Sequence, residues 1–294
     1  MRAGFALDAL LYRGRKPPPL PQSASIATPL GPVRVLDTGG SLPPVVLVPD
    51  GPNLIEHYAT LVERLRAERR VVVLDLPGFG FSFPQARYEH RLEQGGAVIL
   101  AVLAALDLRV ATLVCTCVNG FYAIAAARLD ADQSGPARIA RLVLAQTPSL
   151  ADMRGWTHRI VPRVAHLPVL GQLLHFSQRR RVAMGWYHAA LARREDRPRF
   201  KETAAKAFDA GACFCLPSVV QGVSRESEWP ELLQGVTLPT TLVWGAADRS
   251  HKPSDPAGIR RHLPQAVVLV WAHCGHFPDL EDEAAFAALL LGSV

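Results

Sequence analysis

A chain of 294 residues, 49% hydrophobic and 20% charged, is long enough for one large domain with an extensive buried core, which excludes a disordered chain. The formal net charge of +6 comes largely from arginines scattered along the sequence, with small clusters such as Arg179-Arg180-Arg181, and reads as a solvated basic face. No basic stripe is interleaved with stacking aromatics, so nucleic acid is not expected as a partner.

Five cysteines, an odd number, suggest no disulfide framework. The opening segment lacks the apolar run and cleavage site of a secretory leader. The longest apolar helix candidate, residues 97–108, is too short to span a bilayer. A soluble cytoplasmic protein with reduced thiols and no membrane partner is the expectation.

In chain order, residues 26–37 read as an antiparallel hairpin or edge pair turning at Gly31-Pro32. Residues 44–48 form a buried strand, 57–66 a helix, 70–76 a second buried strand and 91–106 an apolar to amphipathic helix. Then come a strand at 111–116, a helix at 120–129 and a strand at 141–146. Two more strands lie at 240–244 and 266–271. Apolar strands alternating with helical patterns predict an α/β fold with a mostly parallel central sheet covered by helices on both faces. Between them, residues 149–234 lose the strand–helix rhythm and read as a helical lid inserted into a core made of 1–148 and 235–294. Trp156, Trp186, Tyr187 and Phe214 in this insertion are candidates to line a substrate cavity, although aromatics also serve simply as a lid's own packing.

The chemistry centres on residues 113–121, Leu-Val-Cys-Thr-Cys-Val-Asn-Gly-Phe, where a strand runs into a helix with almost no loop. Such a turn holds its apex, Cys117, in a strained conformation above the sheet, at a helix N-terminus that favours negative charge. Alone, Cys117 could equally be a buried inert thiol. The segment, however, resembles the G-x-S-x-G nucleophile elbow of the α/β-hydrolase family, with cysteine in the place of serine. Cys115 and Asn119 occupy the two glycine positions, and Asn119 is expected to serve there because asparagine tolerates left-handed angles. The helix terminus and a neighbouring imidazole are expected to lower the Cys117 pKa.

Other segments resemble the same family over most of the chain. Residues 75–82 match its D-x-x-G-x-G-x-S loop, read as a structural turn. Trp244-Gly245-Ala246-Ala247-Asp248 follows a strand as the family's carboxylate-bearing segment does, although a strand-end aspartate can be merely a turn or cap residue. Residues 275–281, Gly-His-Phe-Pro-Asp-Leu-Glu, resemble its histidine loop. The resemblance implies that His276, oriented by Asp248, is the base that activates Cys117. His273 matches nothing and receives no role.

Acyl transfer also needs donors for an oxyanion. The resemblance assigns one to the Val118 N–H and another to the loop at Pro49-Asp50-Gly51-Pro52-Asn53. There Pro52 has no N–H, so either the loop shifts and the Gly51 or Asn53 N–H donates, or the Asn53 side-chain amide donates, or the hole is incomplete and the chemistry is other than plain ester hydrolysis. Asp50 adds a carboxylate in the site and is a candidate substrate contact. The function expected is turnover of a small-molecule ester, thioester or lactone through a covalent acyl-enzyme. An acyltransferase or cyclase using the same triad, or a non-catalytic ligand-binding protein, is the alternative. The two Cys-x-Cys pairs lack structural zinc spacing, and Gly78-x-Gly80 is not a dinucleotide fingerprint, so neither metal nor organic cofactor is expected.

Overall fold

The structure, a computed structural model, describes residues 2–292. Its frame is a sheet built from β1 (Ser23–Thr28), β2 (Gly31–Asp37), β3 (Pro44–Val48) and β4 (Arg70–Leu74). A short β5 (Phe79–Gly80) lies outside that sheet, which continues with β6 (Ala111–Thr116) and β7 (Ile139–Ala145). After β8 (Cys213–Phe214), also outside it, come β9 (Thr240–Gly245) and β10 (Val267–Trp271). The strand order is β1-β2-β4-β3-β6-β7-β9-β10. β2 pairs antiparallel with β1 and β4, and every other pair is parallel.

The central strands explain themselves. Val45–Val48 and Val71–Leu74 are almost completely buried, because β-branched and leucine side chains on both faces need covering. The cover comes from α2 (Ala59–Leu65), α3 (Leu92–Ala105) and α4 (Asn119–Ala131), with α9 (Pro278–Glu281) and α10 (Glu283–Leu291) closing the chain. α3 packs on α4 and α2 on α10, and helices lie on both faces of the sheet.

Between β7 and β9 lie α5 (Leu150–Ile160), α6 (Leu170–Ala190), α7 (Arg197–Asp209) and α8 (Leu216–Val223). The stretch is not purely helical. Phe214 and Cys213 of β8 pair antiparallel with Phe79 and Gly80 of β5, which ties it to the loop after β4. The N-terminus also forms a helix, α1 (Arg2–Leu11), which packs against α6 and receives a 2.6 Å hydrogen bond at Asp8 from Ser218.

Three local details depart from the sequence expectations. The edge hairpin turns at Pro29 and Leu30, and Gly31 opens β2 with φ of 127°, an angle reserved for glycine. β4 stops at Leu74 because the next residue leaves the ladder: the Asp75 carboxylate accepts the Ile55 and Phe81 N–H groups, each at 3.1 Å. The helix at 57–66 is preceded by a 3₁₀ turn, Ile55–Tyr58.

Candidate active site

β6 ends at Thr116 and α4 begins at Asn119, so Cys117 and Val118 form the whole connection. Cys117 has φ of 53°, a left-handed conformation that residues with a side chain enter at a cost. The bend is held from both sides. The Cys117 N–H donates to the Ala145 carbonyl at 2.7 Å, and its own carbonyl accepts from Gly120 N–H at 3.1 Å and Thr147 Oγ1 at 2.9 Å. A Cβ at Gly120 would sit 2.7 Å from the Thr147 methyl, so the helix can start here only with glycine. Asn119 does not take up the left-handed angle expected of it. Because α4 begins immediately, the strained step falls on Cys117, and the Asn119 side chain instead donates to the Pro49 carbonyl at 2.7 Å.

His276 lies in the loop after β10, its N–H bonded to the Ala190 carbonyl at the end of α6, 2.8 Å away. Its ring is fully buried, with Nδ1 2.7 Å from Asp248 Oδ2. Asp248 also accepts from Gln146 Nε2 at 2.9 Å and from the N–H and hydroxyl of Ser250, both at 2.8 Å. Burial alone would raise the Asp248 pKa, but the His276 charge and hydrogen bond, with the Ser250 hydroxyl, hold it at about 2. For His276, burial opposes the charged form. The attraction of Asp248 and of a Cys117 thiolate overcomes that and raises its pKa well above the usual range.

Cys117 Sγ and a His276 ring nitrogen lie within 4.8 Å of each other, with Asp50 Oδ2 3.5 Å from His276 Nε2. The thiol is not activated in the way the sequence suggests. Burial first, and the adjacent Asp50 carboxylate second, push the Cys117 pKa up to about 11 against the pull of His276. Asp50 is itself raised by burial, opposed by His276 and by the Gly51 N–H. Two acids buried side by side hinder each other's ionisation.

The loop after β3 disposes of its donors in a definite way. The Asn53 N–H closes a turn onto the Asp50 carbonyl at 3.0 Å, and the Asn53 side-chain oxygen accepts from the Tyr187 hydroxyl at 3.0 Å. The Asn53 backbone N–H is thus engaged, while its side-chain Nδ2 is buried without a hydrogen-bond partner among the described residues. Tyr187, fully buried beside it, does not line the cavity above Cys117, which corrects that expectation. The Gly51 N–H faces the Asp50 carboxylate, and the Val118 N–H faces the Cys117 sulfur.

Above the sulfur is a cavity of about 230 Å³ reached by Asp50, Gly51, Val118, Trp156, Trp186 and Phe214. The rest of its wall is almost wholly aliphatic or aromatic, supplied by α5, α6, α8 and Phe79. Among the described residues no lysine or arginine lines it. Three arginines of this stretch are engaged elsewhere: Arg154 with the Ser227 carbonyl, Arg159 with the Ser250 carbonyl, and Arg180 with Asp209. Sequence reasoning missed Gln146, Ser250 and His251, which surround Asp248 and His276. Their only signal was position, the first at the end of β7 and the other two just after Asp248.

A parallel sheet with a sharp strand-to-helix bend at its centre and a carboxylate-held imidazole after its last strand defines the molecule as an α/β enzyme of the hydrolase type. The sequence profile of the alpha/beta hydrolase family matches residues 45–289, and the chain belongs to that family. It is 26% identical over 266 residues to a 2-hydroxy-6-oxononadienedioate/2-hydroxy-6-oxononatrienedioate hydrolase of Cupriavidus pinatubonensis (strain JMP 134 / LMG 1197), covering 87% of this chain and 88% of the relative. It is 25% identical over 267 residues to a 2-hydroxymuconate semialdehyde hydrolase of Pseudomonas sp. (strain CF600), covering 86% and 87% respectively. Epoxide hydrolase A from Mycobacterium thermoresistibile superimposes with a TM-score of 0.76 at 16% identity, over 93% of this chain and 98% of that one, a likeness of fold alone. No helix of the described residues is long and apolar enough to cross a membrane.

Proposed function

We propose that this hydrolase cleaves an uncharged, apolar ester, thioester or lactone through a Cys117–His276–Asp248 triad and a covalent acyl-enzyme. The observation that carries the reading is the placement of the Cys117 sulfur within 4.8 Å of an imidazole whose other nitrogen is held 2.7 Å from Asp248. His276 Nε2 takes the thiol proton as the sulfur attacks the carbonyl carbon, and the imidazolium then protonates the leaving alcohol or thiol. Water, deprotonated by the same imidazole, attacks the thioester, and the carboxylic acid departs as the sulfur recovers its proton. The Val118 N–H donates to the oxyanion. The second hydrogen bond comes from the unpartnered Asn53 Nδ2 or from Asp50 when it is protonated, a form that its burial favours.

The helices of residues 149–234 act as the lid over a core of 1–148 and 235–294, and supply the specificity. One relative is named for a dienedioate, a dicarboxylate. Here the cavity lining includes one carboxyl, Asp50, and no cation, so a substrate carboxylate would enter without a counter-charge. The test is a panel of p-nitrophenyl esters and thioesters with aliphatic, aromatic or carboxylate-ended acyl groups, run on the wild type and Cys117→Ala. Turnover of uncharged apolar acyl groups, lost in Cys117→Ala, supports the proposal. Preference for carboxylate-ended substrates, or turnover surviving in Cys117→Ala, overturns it. Acyl products formed with added alcohols or amines in preference to water would mark an acyltransferase instead.

A further inference from the structure

The proposed chemistry leaves one neighbour of the triad unused. His251 is buried behind His276, the two rings nearly parallel with centroids 5.3 Å apart. The Cys117 sulfur and one nitrogen from each imidazole all lie within 4.8 Å of one another. Both rings have the same kind of support. His276 Nδ1 is held by Asp248 at 2.7 Å, and His251 Nδ1 is 3.1 Å from the Ser254 hydroxyl. In each ring Nε2 is buried and has no hydrogen-bond partner among the described residues. A partner at Nδ1 fixes the orientation of each ring, and in the neutral ring with its proton on Nδ1 the Nε2 lone pair is left for a metal, as in metal-binding histidines. The His251 plane is fixed by the Trp156 ring stacked on it at 5.4 Å, rather than by any bond to Nε2.

We propose that Cys117 Sγ, His251 Nε2 and His276 Nε2 form a binding site for a divalent transition-metal ion of the zinc class, and that its occupancy blocks the thiol. One sulfur and two imidazole nitrogens suit Zn²⁺ or Co²⁺, and not Mg²⁺ or Ca²⁺, which take oxygen ligands. Tetrahedral coordination needs donor separations of roughly 3.3–3.6 Å, so the donors must draw together, pivoting about their Nδ1 anchors. Binding displaces to solvent the thiol proton and any Nε2 proton that His276 carries, and forms one metal–sulfur and two metal–nitrogen bonds. The bound ion and its thiolate carry one net positive charge, faced by Asp248 behind His276 and by Asp50 3.5 Å from His276 Nε2. The fourth position faces the cavity and takes water. The site rests on geometry alone. Only its inhibitory consequence rests on the proposed function, since the ion would occupy the atoms that serve as nucleophile and base.

The test is a Co²⁺ titration of the full chain, freed of metal and kept in a thiol-free buffer. The expected result is one Co²⁺ per chain, visible absorption of tetrahedral intensity and a thiolate-to-cobalt charge-transfer band, all displaced by one Zn²⁺. Cys117→Ser should lose the charge-transfer band. His251→Gln should keep the fold by thermal melting and bind Co²⁺ about tenfold or more weakly. Absence of the band in the wild type, or an unchanged affinity in His251→Gln, would overturn the site. Esters turned over by a protein that shows no band would leave the proposed function standing without this site. A band in a protein with no acyl turnover would do the reverse.

Discussion

Asp248 and Asp50 sit on opposite nitrogens of the same imidazole, both buried and both at the ends of parallel strands, yet their surroundings move their pKa values in opposite directions. Asp248, after β9, meets donors on both carboxylate oxygens, from Gln146, Ser250 and His276, and is held at about 2. Asp50, after β3, has the Gly51 N–H and His276 on one side and the Cys117 thiol on the other, and burial raises it. Burial by itself penalises either charge; the supply of donors decides which aspartate can afford one. One side of the ring thereby favours the carboxylate, and the other favours the protonated acid more than water does, which is the contrast on which the proposed roles of the two aspartates rest.

The same substitution on the two sides should therefore have opposite effects. Asp248→Asn presents an amide to Nδ1 and favours the wrong tautomer, and kcat for an apolar ester should fall by about 10⁴. Asp50→Asn removes a competing acid from beside the sulfur while keeping a donor. Alkylation of Cys117 by iodoacetamide at neutral pH should become about tenfold faster, the effect of lowering the thiol pKa by one unit. If both variants slow alkylation, the contrast is wrong.

The pH dependence sharpens it. Below about 11 the Cys117 thiol is mostly protonated, so the wild-type alkylation rate should climb about tenfold per pH unit from neutrality toward that value. In Asp50→Asn the rise should level off at lower pH. A wild-type plateau near neutrality would mean that the His276 pull outweighs burial. On the α6 side, Trp186 sets its ring edge-on to His276 at 5.1 Å and lines the cavity, and Trp186→Ala should raise KM for apolar esters about tenfold with a smaller change in kcat. The smallest effect is expected from Gln146→Leu, which removes one of several donors to Asp248 and should cost about fivefold in kcat.

What was legible in the sequence follows from how local each signal is. The valine-rich strands announce a sheet covered on both faces, and the segments around Cys117, Asp248 and His276 each carry their own short pattern. The contacts that fix their chemistry join distant parts of the chain. The Asn53 side-chain oxygen is held by the hydroxyl of Tyr187, which lies far along the chain between β7 and β9. The Cys117 pKa could not be inferred from its helix terminus, because Asp50 and the depth of burial come from other elements. α1 has no motif, and its place is set by packing against α6; β8 is two residues that only their pairing with β5 defines. His251 carries no pattern of its own and is found only when the loop after β9 folds it against His276.

The most direct test of the central claim is rapid-quench intact-mass analysis of the protein mixed with a short-chain aliphatic p-nitrophenyl ester. A single acyl adduct should appear within the first turnover and map to Cys117. It should be absent in Cys117→Ala and form far more slowly in His276→Ala. An adduct on another residue, or ester turnover with no adduct at Cys117 and undiminished in Cys117→Ala, would contradict the account.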